Sequence, residues 1–339
     1  MGGIVLAPFV LAAFVGLPWW PTLPTFELKA VFAAKVDTFG SKLVYLEDGS
    51  LEKNGSFLLV VSMAGNKGKI YWLLPGKSYS ELIATLDFFP TAVLKHPTKN
   101  AILIGDYNGS IHYFDIEKKK VSSALKVHDT QIADLIYRNK NNQLITLGYD
   151  GKVVLLDLLK FQTEKTFQLT AQAFKVRGEK EYHLRTAVLA KEADLLYIGD
   201  ENCTITVLDL KSGKLLRRYE EHTASVNKLI LNKDGSKLFS FSQTGRIVSI
   251  DVKTSETKTI VNGFESGICD AFLLKESLYL TKESHLRIFN LDSKKQSYLA
   301  PPLGSNEFTN CIYGEDSKKS QFFALTTQDG MVYIYRIKD

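Results

Sequence analysis

The sequence predicts an all-β protein assembled from a repeated unit, and three observations lead there. A turn followed by a strand recurs at intervals of about 42 residues along the chain. A second strand precedes nearly every one of these turns, so the unit contains a β-hairpin. The strand after the turn is often apolar at consecutive positions, as in "VVLL" at 153–156, which marks a strand covered on both faces.

The repeat begins with "NKGKIYWLL" (66–74) and continues through "DYNGSIHYFDI" (106–116), "GYDGKVVLLDL" (148–158), "DENCTITVLDL" (200–210), "SQTGRIVSIDV" (242–252), "KESHLRIFNL" (282–291) and "QDGMVYIYRI" (328–337). Counted at Gly68, Gly109, Gly151, Cys203, Gly245, Ser284 and Gly330, the spacings are 41, 42, 52, 42, 39 and 46. A radial stack of four-stranded sheets buries such strands between neighbours and leaves only short edges. The expected fold is therefore a seven-bladed β-propeller of four-stranded antiparallel blades over residues 25–339. Because the chain ends at Asp339 just after the last strand, "ELKAVFAA" (27–34) is expected to complete the seventh blade and close the ring. The long spacing places a charged insertion at "AQAFKVRGEKEYHLR" (171–185), and loops on a rigid scaffold are where binding residues concentrate.

These units resemble the WD-repeat β-propeller family. Asp115, Asp157, Asp209 and Asp251 occupy the aspartate of its Trp-Asp pair, with Asn290 a near match. The tryptophan position holds Phe114, Leu156, Leu208, Ile250, Phe289 and Tyr335. The resemblance implies that His128 joins Thr146 and Asp150 in a buried hydrogen-bond network, and that His222 joins Ser240 in an incomplete one with Thr244 at the acid position. It also implies a rigid platform for binding other proteins.

Residues 1–24 form a separate apolar segment. "GGIVLAPFVLAAFVGLPWW" (2–20) carries no charge and as a helix would span about 28 Å, close to the hydrocarbon thickness. Pro8 and Pro18 interrupt it, Trp19 and Trp20 sit where an interfacial anchor would, and no basic residue precedes it. Three readings stay open: a membrane anchor or transmembrane helix, a cleaved signal, and an arm packed on the propeller or a partner. As a span, with Lys29 and Lys35 on its C-terminal flank, it would leave the propeller on the cytoplasmic side of a membrane or in an equivalent organelle compartment. Without an anchor the propeller is expected to be cytoplasmic.

Chemistry is sparse. Phosphate-loop, zinc-helix and nucleophile-elbow motifs are absent, and the six histidines, at 96, 112, 128, 183, 222 and 285, are spread over the repeat. Cys203, Cys269 and Cys311 form no C-x-x-C pair and read as small apolar strand residues, the last two at equivalent first-strand positions. No catalytic, cofactor-binding or metal-binding residue, cofactor or small-molecule substrate is assigned. The expected function is a non-catalytic protein-interaction scaffold, a subunit of a larger complex; in its more specific form that complex is membrane-associated and residues 1–24 are the tether. A nucleic-acid or ribonucleoprotein role is the less favoured alternative, because the net charge of +5 comes from basic pairs scattered along the chain. An enzyme is the second, and three or more ionisable groups meeting in the central channel would favour it.

Overall fold

The computed structural model describes residues 30–35, 41–45, 58–64, 67–73, 80–169, 183–190, 194–264, 267–282, 285–299, 308–315 and 321–337. Six blades are meanders of four consecutive antiparallel strands. The first comprises β2 (Ser41–Tyr45), β3 (Leu58–Ala64), β4 (Lys67–Leu73) and β5 (Ser80–Thr85). The second comprises β6 (Pro90–Lys95), β7 (Ala101–Asp106), β8 (Ser110–Asp115) and β9 (Lys120–Lys126). The third runs through β10 (Ile132–Arg138), β11 (Gln143–Gly148), β12 (Lys152–Asp157) and β13 (Gln162–Gln168). The fourth holds β14 (Leu184–Ala190), β15 (Leu195–Asp200), β16 (Ile205–Asp209) and β17 (Leu215–Tyr219). The fifth holds β18 (Val226–Leu231), β19 (Lys237–Ser242), β20 (Arg246–Asp251) and β21 (Thr257–Asn262), and the sixth β22 (Ile268–Leu274), β23 (Ser277–Lys282), β24 (His285–Asn290) and β25 (Gln296–Leu299).

The expected count of seven blades is corrected in this sense: six blades, not seven, are continuous runs of the repeat. The remaining four-stranded sheet is composite. It joins β26 (Phe308–Glu315), β27 (Gln321–Thr327) and β28 (Met331–Arg336) to β1 (Ala30–Lys35) from the other end of the chain. The physical reason is that three strands remain after the sixth meander, so the outer edge of the last sheet is filled by β1, which pairs antiparallel with β28 from Ala30 opposite Tyr335 to Lys35 opposite Met331. The first strands of successive sheets pack on one another around an axis, with β26 meeting β2 to close the circle.

Burial explains the strand composition. Every residue of β7 and β11 is buried, whereas the outermost β9 and β13 are mostly exposed. Blades join through apolar layers, such as Ile145, Leu147, Val153 and Leu155 of the third against Leu184, Leu196, Ile198 and Leu208 of the fourth. Each such side chain contributes on the order of 1.5–3 kcal/mol by leaving water. Phe114, Leu156, Leu208, Ile250, Phe289 and Tyr335 are all buried where the WD pattern has tryptophan. At the tight turn between second and third strands the backbone is left-handed, at Gly109 (φ 84°), Gly151 (73°), Cys203 (66°), Gly245 (78°) and Gly330 (85°).

Three further expectations are corrected. Gly68 lies inside β4, paired with Met63, rather than at a turn. Cys269 and Cys311 are not equivalent: Ile268 corresponds to Phe308, so Cys269 matches Thr309 while Cys311 matches Ala271. The transmembrane helix is not supported, because no helix among the described residues is long and apolar enough to cross a membrane. Residues 1–24, Ser284 and most of the insertion, 170–182, lie outside the described residues.

Candidate functional site: the axial channel and its mouth

The innermost strand of each blade lines the axis, and six of these strands begin with the same irregularity. In β6, β10, β14, β18, β22 and β26 the register slips between the first and third residues. A bulge re-aims side chains that regular pairing would turn elsewhere. Here the re-aimed residues stitch blade to blade. Thr91 Oγ1 donates to the Ile132 carbonyl at 2.7 Å, and Asn227 Nδ2 to the Ile268 carbonyl at 3.0 Å.

Third-position residues bring charge into the channel. Asp134 Oδ2 accepts from the Ala187 N–H at 3.1 Å and Thr186 Oγ1 at 3.4 Å, tying the third blade to the fourth. Lys228 Nζ lies 2.7 Å from Asp270 Oδ1, and Asp270 Oδ2 accepts from Asn310 Nδ2 at 2.6 Å and Cys311 N–H at 3.2 Å. Burial pushes the Asp134 carboxyl above its ordinary range against the pull of Lys228. Burial opposes charge on Lys228, but Asp270 and then Asp134 outweigh it and hold the ammonium. Three ionisable groups therefore meet in the channel. Lys228 and Asp270 pair with each other while Asp134 is held by Leu135, Thr186 and Ala187, and the Cys311 thiol beside Asp270 is pushed up by burial and by that carboxylate, which keeps it protonated.

Above this belt the channel opens into a polar recess of about 340 Å³ lined by Lys42, Thr91, Ala133, Arg185, Asn227 and Cys269, one from each of six blades, together with Gln131, Ile132 and Tyr149. On its rim Arg185 Nη1 lies 2.6 Å from Glu201 Oε1, and His183 Nδ1 lies 2.8 Å from Glu201 Oε2 while its ring stacks on Tyr149 at 5.1 Å. Burial raises the Glu201 carboxyl, but bonds to Arg185 and His183 bring it below its ordinary value. Burial also raises the Tyr149 hydroxyl, with Arg185 opposing. The arrangement is built to hold and orient groups at the channel entrance.

His128 and His222 make the contacts that the WD resemblance implies. His128 meets Asp150 at 3.0 Å and Thr146 at 2.8 Å, and His222 meets Ser240 at 2.5 Å. His112 reaches Asp106 at 2.7 Å and stacks on Phe88. No group of three or more His, Cys, Asp or Glu able to hold a metal ion exists among the described residues. Sequence reasoning pointed to the insertion 171–185, whose last residues include His183 and Arg185 of the rim, but singled out neither Tyr149 and Glu201 beside them nor the Asp134–Lys228–Asp270 belt. The available signal was a polar residue at the third position of five inner strands, Asp134, Thr186, Lys228, Asp270 and Asn310, legible only once the bulge register is known.

The ring, the axial belt and the rim together define the class: a β-propeller with a charged channel and a polar mouth. No family model matches the chain. Among curated proteins it is similar to U3 small nucleolar RNA-associated protein 4 of Saccharomyces cerevisiae, at 23% identity over 156 residues, 45% of this chain and 20% of the yeast protein. The chain thus aligns with about a fifth of that relative's length.

Proposed function

We propose that the protein is a non-catalytic interaction scaffold, one subunit of a larger complex, engaging partner proteins through the channel mouth and its rim. The observation that carries this reading is the recess to which six blades each contribute a side chain. A partner seated there reads the relative placement of the whole ring. The Lys228–Asp270 ion pair, and the hydrogen bonds that hold Asp134 to Leu135, Thr186 and Ala187, support a structural over a catalytic role. Three cysteines with no C-x-x-C pair among them suit a reducing compartment.

A photo-crosslinking residue at position 107, where Tyr107 is exposed on the turn end that holds the mouth, tests it in cells. The expected result is a discrete adduct that is lost on Arg185→Glu and absent when the crosslinker replaces Leu82 on the outer strand β5. Migration of the native chain as a monomer without adducts from position 107 overturns the proposal.

The yeast relative favours a second reading. Its name associates that protein with a small nucleolar RNA, and by that likeness this chain would work within a ribonucleoprotein. Co-sedimentation with a large particle that ribonuclease abolishes supports this reading, and ribonuclease-resistant sedimentation refutes it.

A further inference from the structure

We propose that the end of the ring opposite the mouth docks on the phosphate backbone of a nucleic-acid duplex. This deepens the ribonucleoprotein reading and rests on it. In an antiparallel meander the connections alternate ends. Those joining first to second and third to fourth strands lie at one end; those joining second to third strands, and one blade to the next, lie at the mouth.

Among the described residues the mouth-end connections contain seven carboxylates, Asp129, Asp150 and Glu221 among them, and no lysine or arginine. The opposite end is reversed: its connections contain twelve lysines, all exposed, and six carboxylates. One lysine recurs in the last turn of five successive blades, as Lys118, Lys160, Lys211, Lys253 and Lys294. Basic pairs that look scattered along the chain, Lys118 to Lys120 and Lys294-Lys295, fall at the same end once the repeat is folded.

The aspartates closing the third strands do not cancel this face. Asp157, Asp209 and Asp251 sit beneath the turns and accept backbone N–H groups from the residues that follow them. The pairs that Lys118 and Lys160 make with Asp115 and Asp157, at 3.0 and 3.5 Å, are exposed on the lysine side. Such pairs contribute little and exchange readily for a stronger anion.

The apolar surface decides the kind of anion. Among the described residues, Leu159 is the large exposed hydrophobic at the lysine end; Tyr107 is at the mouth, and Leu82, Leu216 and Tyr298 are on outer strands. With no exposed aromatic among the described residues of this face, it offers nothing there on which to stack unpaired bases. A single leucine is too small an apolar face for insertion among lipid headgroups. Lysines spread over successive blades instead fit a duplex, which offers one charge for each 1.7 Å or so of axis and is held through its backbone.

The test is fluorescence anisotropy of a 25-base-pair RNA duplex with the full chain between 50 and 200 mM salt. Wild-type protein is expected to bind with a steep inverse salt dependence. The combined variant Lys118→Gln, Lys160→Gln, Lys211→Gln, Lys253→Gln and Lys294→Gln should lose at least tenfold in affinity, with a log–log slope shallower by about 2 or more. Lys126→Gln with Lys152→Gln, at the mouth end, should change neither. Absence of duplex binding by wild type at 50 mM salt, an unaltered five-lysine variant, or binding to phosphatidylserine vesicles in preference to RNA each overturns the proposal. If the five-lysine variant binds RNA normally while ribonuclease still releases the native protein from a particle, the docking surface is refuted and the ribonucleoprotein reading survives.

Discussion

His128 uses both ring nitrogens, toward Asp150 and Thr146, whereas His222 reaches Ser240 with Nε2 and leaves Nδ1 buried without a hydrogen-bond partner. The acid that serves His128 stands one residue before a turn glycine, and the residue at that place in the fifth blade is Thr244. Thr244→Asp is expected to complete the network and stabilise the protein by about 1 kcal/mol, since a buried donor gains a charged acceptor. Urea unfolding at pH 7 checks this. The His222 imidazole resonances should also titrate at higher pH than in wild type, because Asp at 244 would favour the charged ring.

The same histidine sets the acid limit of the fold. Burial, and then the charge of Arg246, hold His222 down to about 4 from the ordinary 6.5. Burial, and then Lys99, hold His96 down to about 4, while its Nδ1 accepts the N–H groups of Thr98 and Lys99. Between those pH values the unfolded chain binds more protons than the folded one, so stability falls as pH drops from 6.5 toward 4. Asp150 acts in a second, lower window. Burial raises its carboxyl, but His128 and backbone N–H groups bring it to about 2 from 3.8, so its contribution is lost as pH falls through that range. Urea midpoints across pH 3–7 should decline below 6.5, and Thr244→Asp should flatten the upper part of the decline.

Cys203 occupies a turn position, at φ 66°, where three other blades and the composite sheet have glycine. Cys203→Gly removes strain of about 1–2 kcal/mol and adds some chain entropy to the unfolded state, for a net change between zero and about +1 kcal/mol. Gly109→Ala should cost more than about 2 kcal/mol: besides φ 84°, an added Cβ would lie 2.2 Å from the His128 carbonyl oxygen. Differential scanning calorimetry of the two variants gives opposite signs if this account is right.

Lys228 and Asp270 are the strongest pair on the axis, and removing one strands the other. Lys228→Met is expected to destabilise by about 1–3 kcal/mol, below the usual range for buried pairs because the Lys228 side chain is 36% exposed. Asp270→Asn should cost a similar amount, and the double variant less than the two together. Additive losses in this cycle would mean that the pair is not coupled.

What was legible from residues alone was local. The turn glycines, the aspartates from Asp115 to Asp251 and the buried residues at the tryptophan positions repeat within one blade, so spacing reveals them. The His128 network was legible through the family resemblance for the same reason. The axial belt was hidden because Asp134, Lys228 and Asp270 come from three different blades and point together only through bulges, which shift the register by one. Cys269 and Cys311 look like repeat partners at an interval of 42, but β22 and β26 begin 40 residues apart, at Ile268 and Phe308, so the two cysteines fall two positions out of step. Lysines 118, 160, 211, 253 and 294 were visible individually, yet their common face exists only when the chain is wound into a ring.

The pairing of β1 with β28 sets the order of events during folding. Ala34 meets Val332 across about 300 residues of intervening chain, and the entropy of closing so long a loop grows only slowly with its length. The delay is one of synthesis: β1 leaves the ribosome about 300 residues ahead of β28 and cannot make this pairing until β28 has followed. The six meanders can mature in sequence behind it, but the edges of the open arc stay available to other strands until this final clasp forms.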